Sequence, residues 1–151
     1  MGKNRFLAAT LLGAVVALAA LPATPAGTVP LPPDIKIAAP DPDVPPQRAA
    51  YLGKWTGTWD GILPTVLVVE RVTAGSAETI YAWGVAPRWK ISSPGWVRTT
   101  GQFANGVLRL SLRLPTTVAT VTYRMLPDGT LDATYLWQGY KSHAKMVREK
   151  E

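Results

Sequence analysis

From residue 53 onward the apolar residues recur at every second position, and this period rules out most folds. Val107 to Leu114 shows it most cleanly: Leu108, Leu110, Leu112 and Leu114 alternate with Arg109, Ser111 and Arg113. Side chains at period two lie on one face of a β-strand, whereas a helix would scatter them round its circumference. The same alternation sets Trp55, Gly57 and Trp59 against Lys54, Thr56, Thr58 and Asp60. It sets Ala119, Val121, Tyr123 and Met125 against Thr120, Thr122 and Arg124, and it unites Leu131, Ala133, Tyr135 and Trp137. Turn residues punctuate the runs: Gly61 to Pro64, Ala74-Gly75-Ser76, Asn105-Gly106 and Pro127-Asp128-Gly129. Strands are predicted from Gly53, then over Thr65–Thr73, Glu78–Trp83, Trp96–Phe103, Val107–Leu114, Val118–Leu126, Thr130–Trp137 and Ser142–Arg148.

Eight strands on short loops, each with one apolar face, must pack as two sheets or close into one. Closure removes both exposed edges, and a sandwich usually needs longer crossovers than this spacing supplies. The predicted fold is therefore all-β, a single antiparallel up-and-down eight-stranded barrel, with a two-sheet sandwich as the alternative. At eight strands the interior is just wide enough to be filled by side chains or to hold one small ligand.

The chain ahead of the barrel divides in two. Lys3 and Arg5 precede an uncharged apolar run from Phe6 to Leu21, the pattern of a secretory signal peptide over residues 1–21, with cleavage somewhere in 19–26. At about 16 residues the run is short for a membrane span, and Pro22 ends it, so no integral span is expected after cleavage. An uncleaved N-terminal anchor is the alternative. Residues 22–46 hold nine of the fourteen prolines and read as a disordered, semi-rigid linker. Gln47 to Leu52 is predicted to form a short helical turn, and 47–151 is the barrel domain. Export implies a bacterial periplasmic or secreted product. There is no cysteine, so stability must come from packing alone and lipid attachment at a cysteine is excluded.

The formal charge is +6, and loss of Lys3 and Arg5 leaves about +4 on the mature chain. A nucleic-acid interface needs clustered cations interleaved with stacking aromatics, and only Arg88-Trp89-Lys90 comes near, so none is assigned.

Gly53-Lys54-Trp55 on the first strand with Arg148 on the last resembles the lipocalin/calycin superfamily, in particular its small exported bacterial members of unassigned function. The resemblance implies that Trp55 plugs the closed end of the barrel and that Arg148 packs across its ring. Gly53, Trp55 and Arg148 would then be closure residues. Avidins share the Gly-x-Trp start, but their polar ligand contacts find no matching positions here.

The candidate site is the loop Gly84 to Pro94, bracketed by Trp83, Trp89 and Trp96 and charged by Arg88 and Lys90. Long loops of a barrel gather at its open mouth, where aromatics can stack on a sugar or grip an apolar ligand. Tyr123 and Tyr135 would supply the polar groups of any interior pocket. No catalytic residue, cofactor or metal is assigned. His143, the sole histidine, faces solvent by parity with Ala144 and Met146, and no Gly-x-Ser-x-Gly elbow accompanies Ser142 and Asp132.

Two functional readings follow. One is a noncatalytic binding protein for a small apolar, aromatic or glycan ligand. The other is a solid barrel whose basic face, Arg109, Arg113 and Arg124, meets an anionic envelope polymer or a protein partner. An accessory domain of a separate hydrolase is a third, less developed option.

Overall fold

The computed structural model describes residues 28–114 and 117–150. The signal-peptide reading and the first residues of the linker lie outside this range. One helical turn, α1 (Pro46–Ala49), leads into eight strands: β1 (Gly53–Trp59), β2 (Leu63–Val72), β3 (Ser76–Trp83), β4 (Gly95–Ala104), β5 (Val107–Leu114), β6 (Thr117–Met125), β7 (Leu131–Trp137) and β8 (Tyr140–Arg148). Each pairs antiparallel with its neighbour and β1 closes on β8, giving an up-and-down barrel in sequence order. The predicted architecture is the observed one.

Parity decides what lies inside. Trp55 stands opposite Leu67, which stands opposite Tyr81, so these three share the inner face. Trp55, Trp59, Leu67, Leu108, Leu110, Leu131 and Met146 are almost entirely excluded from solvent. The Asn105-Gly106 hairpin has positive φ at both positions (51° and 74°), the mirror-image turn that matches strand twist. The last hairpin is tighter than predicted. Gln138 and Gly139 alone make the turn at φ 47° and 83°, and β8 starts at Tyr140 instead of Ser142. Glutamine seldom takes a left-handed conformation, so the sequence gives little warning of this.

The barrel floor is the end where β1 begins and β8 finishes. Arg148 stands opposite Trp55 in the β1–β8 pairing, and its guanidinium lies 4.2 Å from the indole centroid. It donates to the carbonyls of Leu52 and Ala50. Gly53, at φ 122°, lies against this guanidinium; a Cβ there would come within 2.6 Å of Nη1. Only glycine fits both the torsion and the contact.

Tyr51 completes the plug, and the sequence reading did not single it out. Its carbonyl accepts the Trp55 indole N–H (2.9 Å), and its hydroxyl accepts the Met125 N–H (3.0 Å). The same hydroxyl lies 3.1 Å from the carbonyls of Gly106 and Tyr123, to which it donates.

The described part of the proline-rich segment is not the disordered spacer predicted from composition. Val29, Leu31 and Ile35 pack on the outer wall against Val66, Val68, Ile80 and Ala82, and Val44 joins the main core. The physical reason lies in β2, which is apolar on both faces and cannot leave its outer face in water. Proline makes the strap extended; apolar complementarity makes it adhere. Glu70 faces outward by parity with Val66 and Val68, the register shift between Val69 and Arg71 returns Val72 to the core, and the Glu70 carbonyl accepts the Ala38 N–H (2.8 Å). The Glu70 carboxylate accepts the Lys36 N–H (3.1 Å) and the Arg98 guanidinium (3.3 Å), which also bonds Asp34 (2.8 Å).

Candidate functional site

The opposite end, the mouth, carries the turns at 60–62, 84–94 and 138–139, together with the end of β5 and the start of β6. Its largest element is the predicted loop, and it is built as a plug. Ala86 and Ile91 form an antiparallel bridge through reciprocal backbone bonds of 2.9 and 3.1 Å. Between them Pro87–Trp89 make a 3-10 turn, ended by Lys90 at φ 57°. Gly84 N–H donates to the Pro64 carbonyl (2.9 Å), and the Trp83 indole donates to the Ser93 carbonyl (2.9 Å), so both limbs are tied to the rim. Ala86 is buried, Trp89 and Ile91 pack on the core, and Arg88 and Lys90 point into solvent.

The three bracketing tryptophans therefore do not form one surface. Trp83 lies on the inner face at the rim and Trp89 closes over the core. Trp96 stands on the outer wall, 39 % exposed, with the Arg98 guanidinium 5.7 Å from its ring. Trp96 pairs across the strands with Ala82, an outward residue, and parity sends it outward too.

Beneath the plug lie polar groups in an aromatic setting. Trp59 donates its indole N–H to the Tyr81 hydroxyl (3.1 Å), and nearby the Thr65 hydroxyl donates to the Ala82 carbonyl (2.8 Å). Burial, with Tyr135 nearby, pushes the Tyr81 phenol well above its ordinary range. Tyr135 packs edge-on against Trp59 at 5.8 Å and is half-buried. Tyr123 is fully buried, and its hydroxyl is the buried side-chain polar atom left without a partner among the described residues. Burial raises its pKa far above 10.0, with Tyr81 adding to the effect.

Of the predicted ligand-binding residues, Trp83, Tyr123 and Tyr135 share the inner face, with Trp83 and Trp89 at the mouth and Tyr123 toward the floor, where Tyr51 bonds its carbonyl. Arg88, Lys90 and Trp96 stand outside. Tyr81 and Trp59 belong with the inner group; the parity of Trp83 with Tyr81 was the available signal for the former.

The interior is filled. A Cβ on Gly101 would meet the methyls of Leu108 at 2.7 Å and Leu110 at 2.9 Å, so even the absent side chain of a glycine is occupied by its neighbours. The two best-formed hollows among the described residues lie outside the barrel. One, of about 470 Å³, runs between the strap and the outer wall past Asp34, Lys36, Glu70, Glu78 and Arg98. The other, of about 280 Å³, lies along Thr58, His143 and Lys145.

His143 sits on the outer wall, as its parity predicts, with Nδ1 3.4 Å from the Thr134 hydroxyl. Ser142 is on the inner-face parity, and Asp132 is paired with Arg124 at 3.1 Å, so the three do not meet as a triad. That ion pair also removes Arg124 from the set of free outer-wall cations. Among the described residues no group of acidic or histidine side chains has the arrangement of a metal site. Compared with protein-family models and with curated proteins, the chain matches none.

Proposed function

We propose that this chain is an exported, noncatalytic binding protein that acts through the outside of a filled barrel. The filled interior carries this reading: Tyr51 and Arg148 plug the floor, the Ala86–Ile91 hairpin plugs the mouth, and large side chains occupy the space between. Export rests on the basic start and apolar run of residues 1–21. The absence of catalysis rests on the separation of His143, Ser142 and Asp132. Thermal unfolding across a panel of fatty acids, aromatic compounds and oligosaccharides tests it. The expected result is no saturable rise in midpoint; a rise that Trp89→Ala abolishes would overturn it. The mass of the mature product in the secreted or periplasmic fraction tests export.

One observation favours the interior-ligand reading, the unpartnered Tyr123 hydroxyl. A buried hydroxyl without a partner is costly, and a small hydrogen-bonding ligand inside the barrel would satisfy it. Under that reading Tyr123→Phe removes the saturable shift that the wild-type protein shows in the same panel.

A further inference from the structure

Resting on the outer-surface reading, we infer that the mouth end of the barrel docks on an anionic phospholipid bilayer. Exposed apolar side chains are concentrated there. Of the seven large ones among the described residues, Val85, Trp96, Val118, Leu136 and Tyr140 are at the mouth, and Ile37 and Val147 are elsewhere. They come from the β3–β4 loop and from β4, β6, β7 and β8, so they form a broad belt along that part of the rim, which β1 and β2 leave open.

Charge at the mouth is one-sided, although cations without an ion pair among the described residues also occur on the strap, wall and floor (Lys36, Arg48, Arg109 and Lys150). Arg88, Lys90, Arg113 and Lys141 are exposed at the mouth, and none makes an ion pair among the described residues. The carboxylates that do pair, Asp34, Asp41, Glu70, Asp128, Asp132 and Glu149, belong to the strap, the walls or the floor. Asp60 is the acid of the mouth turns, and it is engaged by the His143 backbone N–H (2.9 Å). The register interleaves the two chemistries: Arg113 is opposite Val118, and Lys141 is opposite Leu136.

Cations beside apolar and aromatic side chains suit a bilayer interface, where guanidinium and ammonium groups meet phosphate while rings and methyls enter the headgroup layer. A soluble polyanion would satisfy the cations and leave Val118 and Leu136 in water. A protein partner would cover one side of a barrel, whereas the belt follows its rim. The barrel does not span, because the outward residues below the belt are polar: Arg109, Ser111, Thr120, Thr122 and Thr134. No helix among the described residues is long and apolar enough to cross a membrane.

The chain has no cysteine, so a polarity-sensitive fluorophore can be placed on Val118→Cys at the mouth or Val147→Cys near the floor of the full-length protein. Vesicles of phosphatidylglycerol with phosphatidylcholine should shift the mouth label to the blue and leave the floor label unchanged. Vesicles of phosphatidylcholine alone should do neither. Arg113→Glu with Lys141→Glu should weaken the mouth response about tenfold or more, and added salt should weaken it in the unsubstituted background. The N-terminal apolar segment is common to all variants, so a response due to it would be equal in the parent and in Arg113→Glu with Lys141→Glu. Equal response of both labels, response to neutral vesicles, or the same blue shift with polyphosphate would each overturn the inference. If these fail while the ligand panel stays flat, the lipid assignment falls and the outer-surface reading stands; a saturable interior ligand removes both.

Discussion

The two ends of this barrel are sealed by different means. At the floor, a backbone-satisfied tyrosine, a tryptophan and an arginine lock together across β1, β6 and β8, and Lys54 is paired with Glu149 at 2.7 Å. At the mouth, a short hairpin is folded down on the core, and its cations are free of ion pairs among the described residues. The difference teaches where stability and recognition are separated. Polar groups that are all engaged have nothing left to offer a partner, whereas unengaged charge and exposed apolar surface are the raw material of an interface.

The sharpest way to break this comparison is to truncate one tryptophan at each end. Trp55→Ala removes a fully buried indole and strands the Arg148 guanidinium and the Tyr51 carbonyl. It should cost about 3–5 kcal/mol in denaturant unfolding. Trp89→Ala, at the half-buried plug, should cost about 1–2 kcal/mol. Equal losses would remove the distinction between the ends.

Gly53→Ala should come next, at about 2 kcal/mol or more, because it imposes both a disfavoured φ and a collision with Arg148. Gly75→Ala, at a turn with open space around it, should change little.

Tyr123→Phe should have the opposite sign. Deleting an unpartnered hydroxyl should leave stability unchanged or raise it by about 1 kcal/mol. The pH dependence follows with its sign. The folded pKa of Tyr123 lies above its unfolded value of 10.0, so the folded form is favoured below pH 10 and that contribution is lost as the pH rises past it. The Tyr123→Phe protein should therefore lose less stability above pH 10 than the parent, as read from unfolding midpoints.

The smallest effect concerns the strap. The Arg98 hydrogen bond holds the Asp34 carboxyl below its ordinary 3.8, despite some opposing desolvation. Asp34 therefore favours the latched form above pH 3.8, and that contribution fades as the pH falls through and below this value. The protection factor of the Ala38 amide, the exchange rate of a free peptide at the same pH divided by its own, should fall on acidification, and Asp34→Asn should abolish the part of this change due to Asp34. Asp34 is solvent-exposed, so the barrel's own midpoint should hardly move.

Most of the barrel was legible in the chain. Alternation placed Leu108, Leu110, Leu112, Tyr123 and Met146 inside, the eight strands were countable, and the Trp55–Arg148 contact is the one the Gly-x-Trp resemblance implied. The site was less legible. Parity could show that Trp83 and Trp96 face opposite ways only if both strands' phases were fixed, and the alternation of β4 is too polar to fix its own: Arg98, Thr99, Thr100 and Gln102 mark no apolar face. The plug at the mouth depends on the Ala86–Ile91 bridge, a contact that no periodic pattern announces.

The strap was misread because composition reports on what a segment can build alone. Proline excludes helix and sheet, yet it does not prevent Val29, Leu31 and Ile35 from covering a neighbour's apolar face. The warning was elsewhere, in the unbroken Val66-Leu67-Val68-Val69 run of β2, which asks for cover on both sides.

The sequence by itself determined the fold class, because side-chain parity along a strand is a local property that short turns propagate from one strand to the next. Tertiary structure alone decided that the interior is full, that the proline segment adheres, and that exposed apolar residues collect at one end. Each of these depends on volumes and surfaces that meet only when distant strands close. Val118 and Arg113 belong to one local hairpin, but the belt they share with Trp96, Leu136 and Tyr140 exists only once β8 has returned to β1.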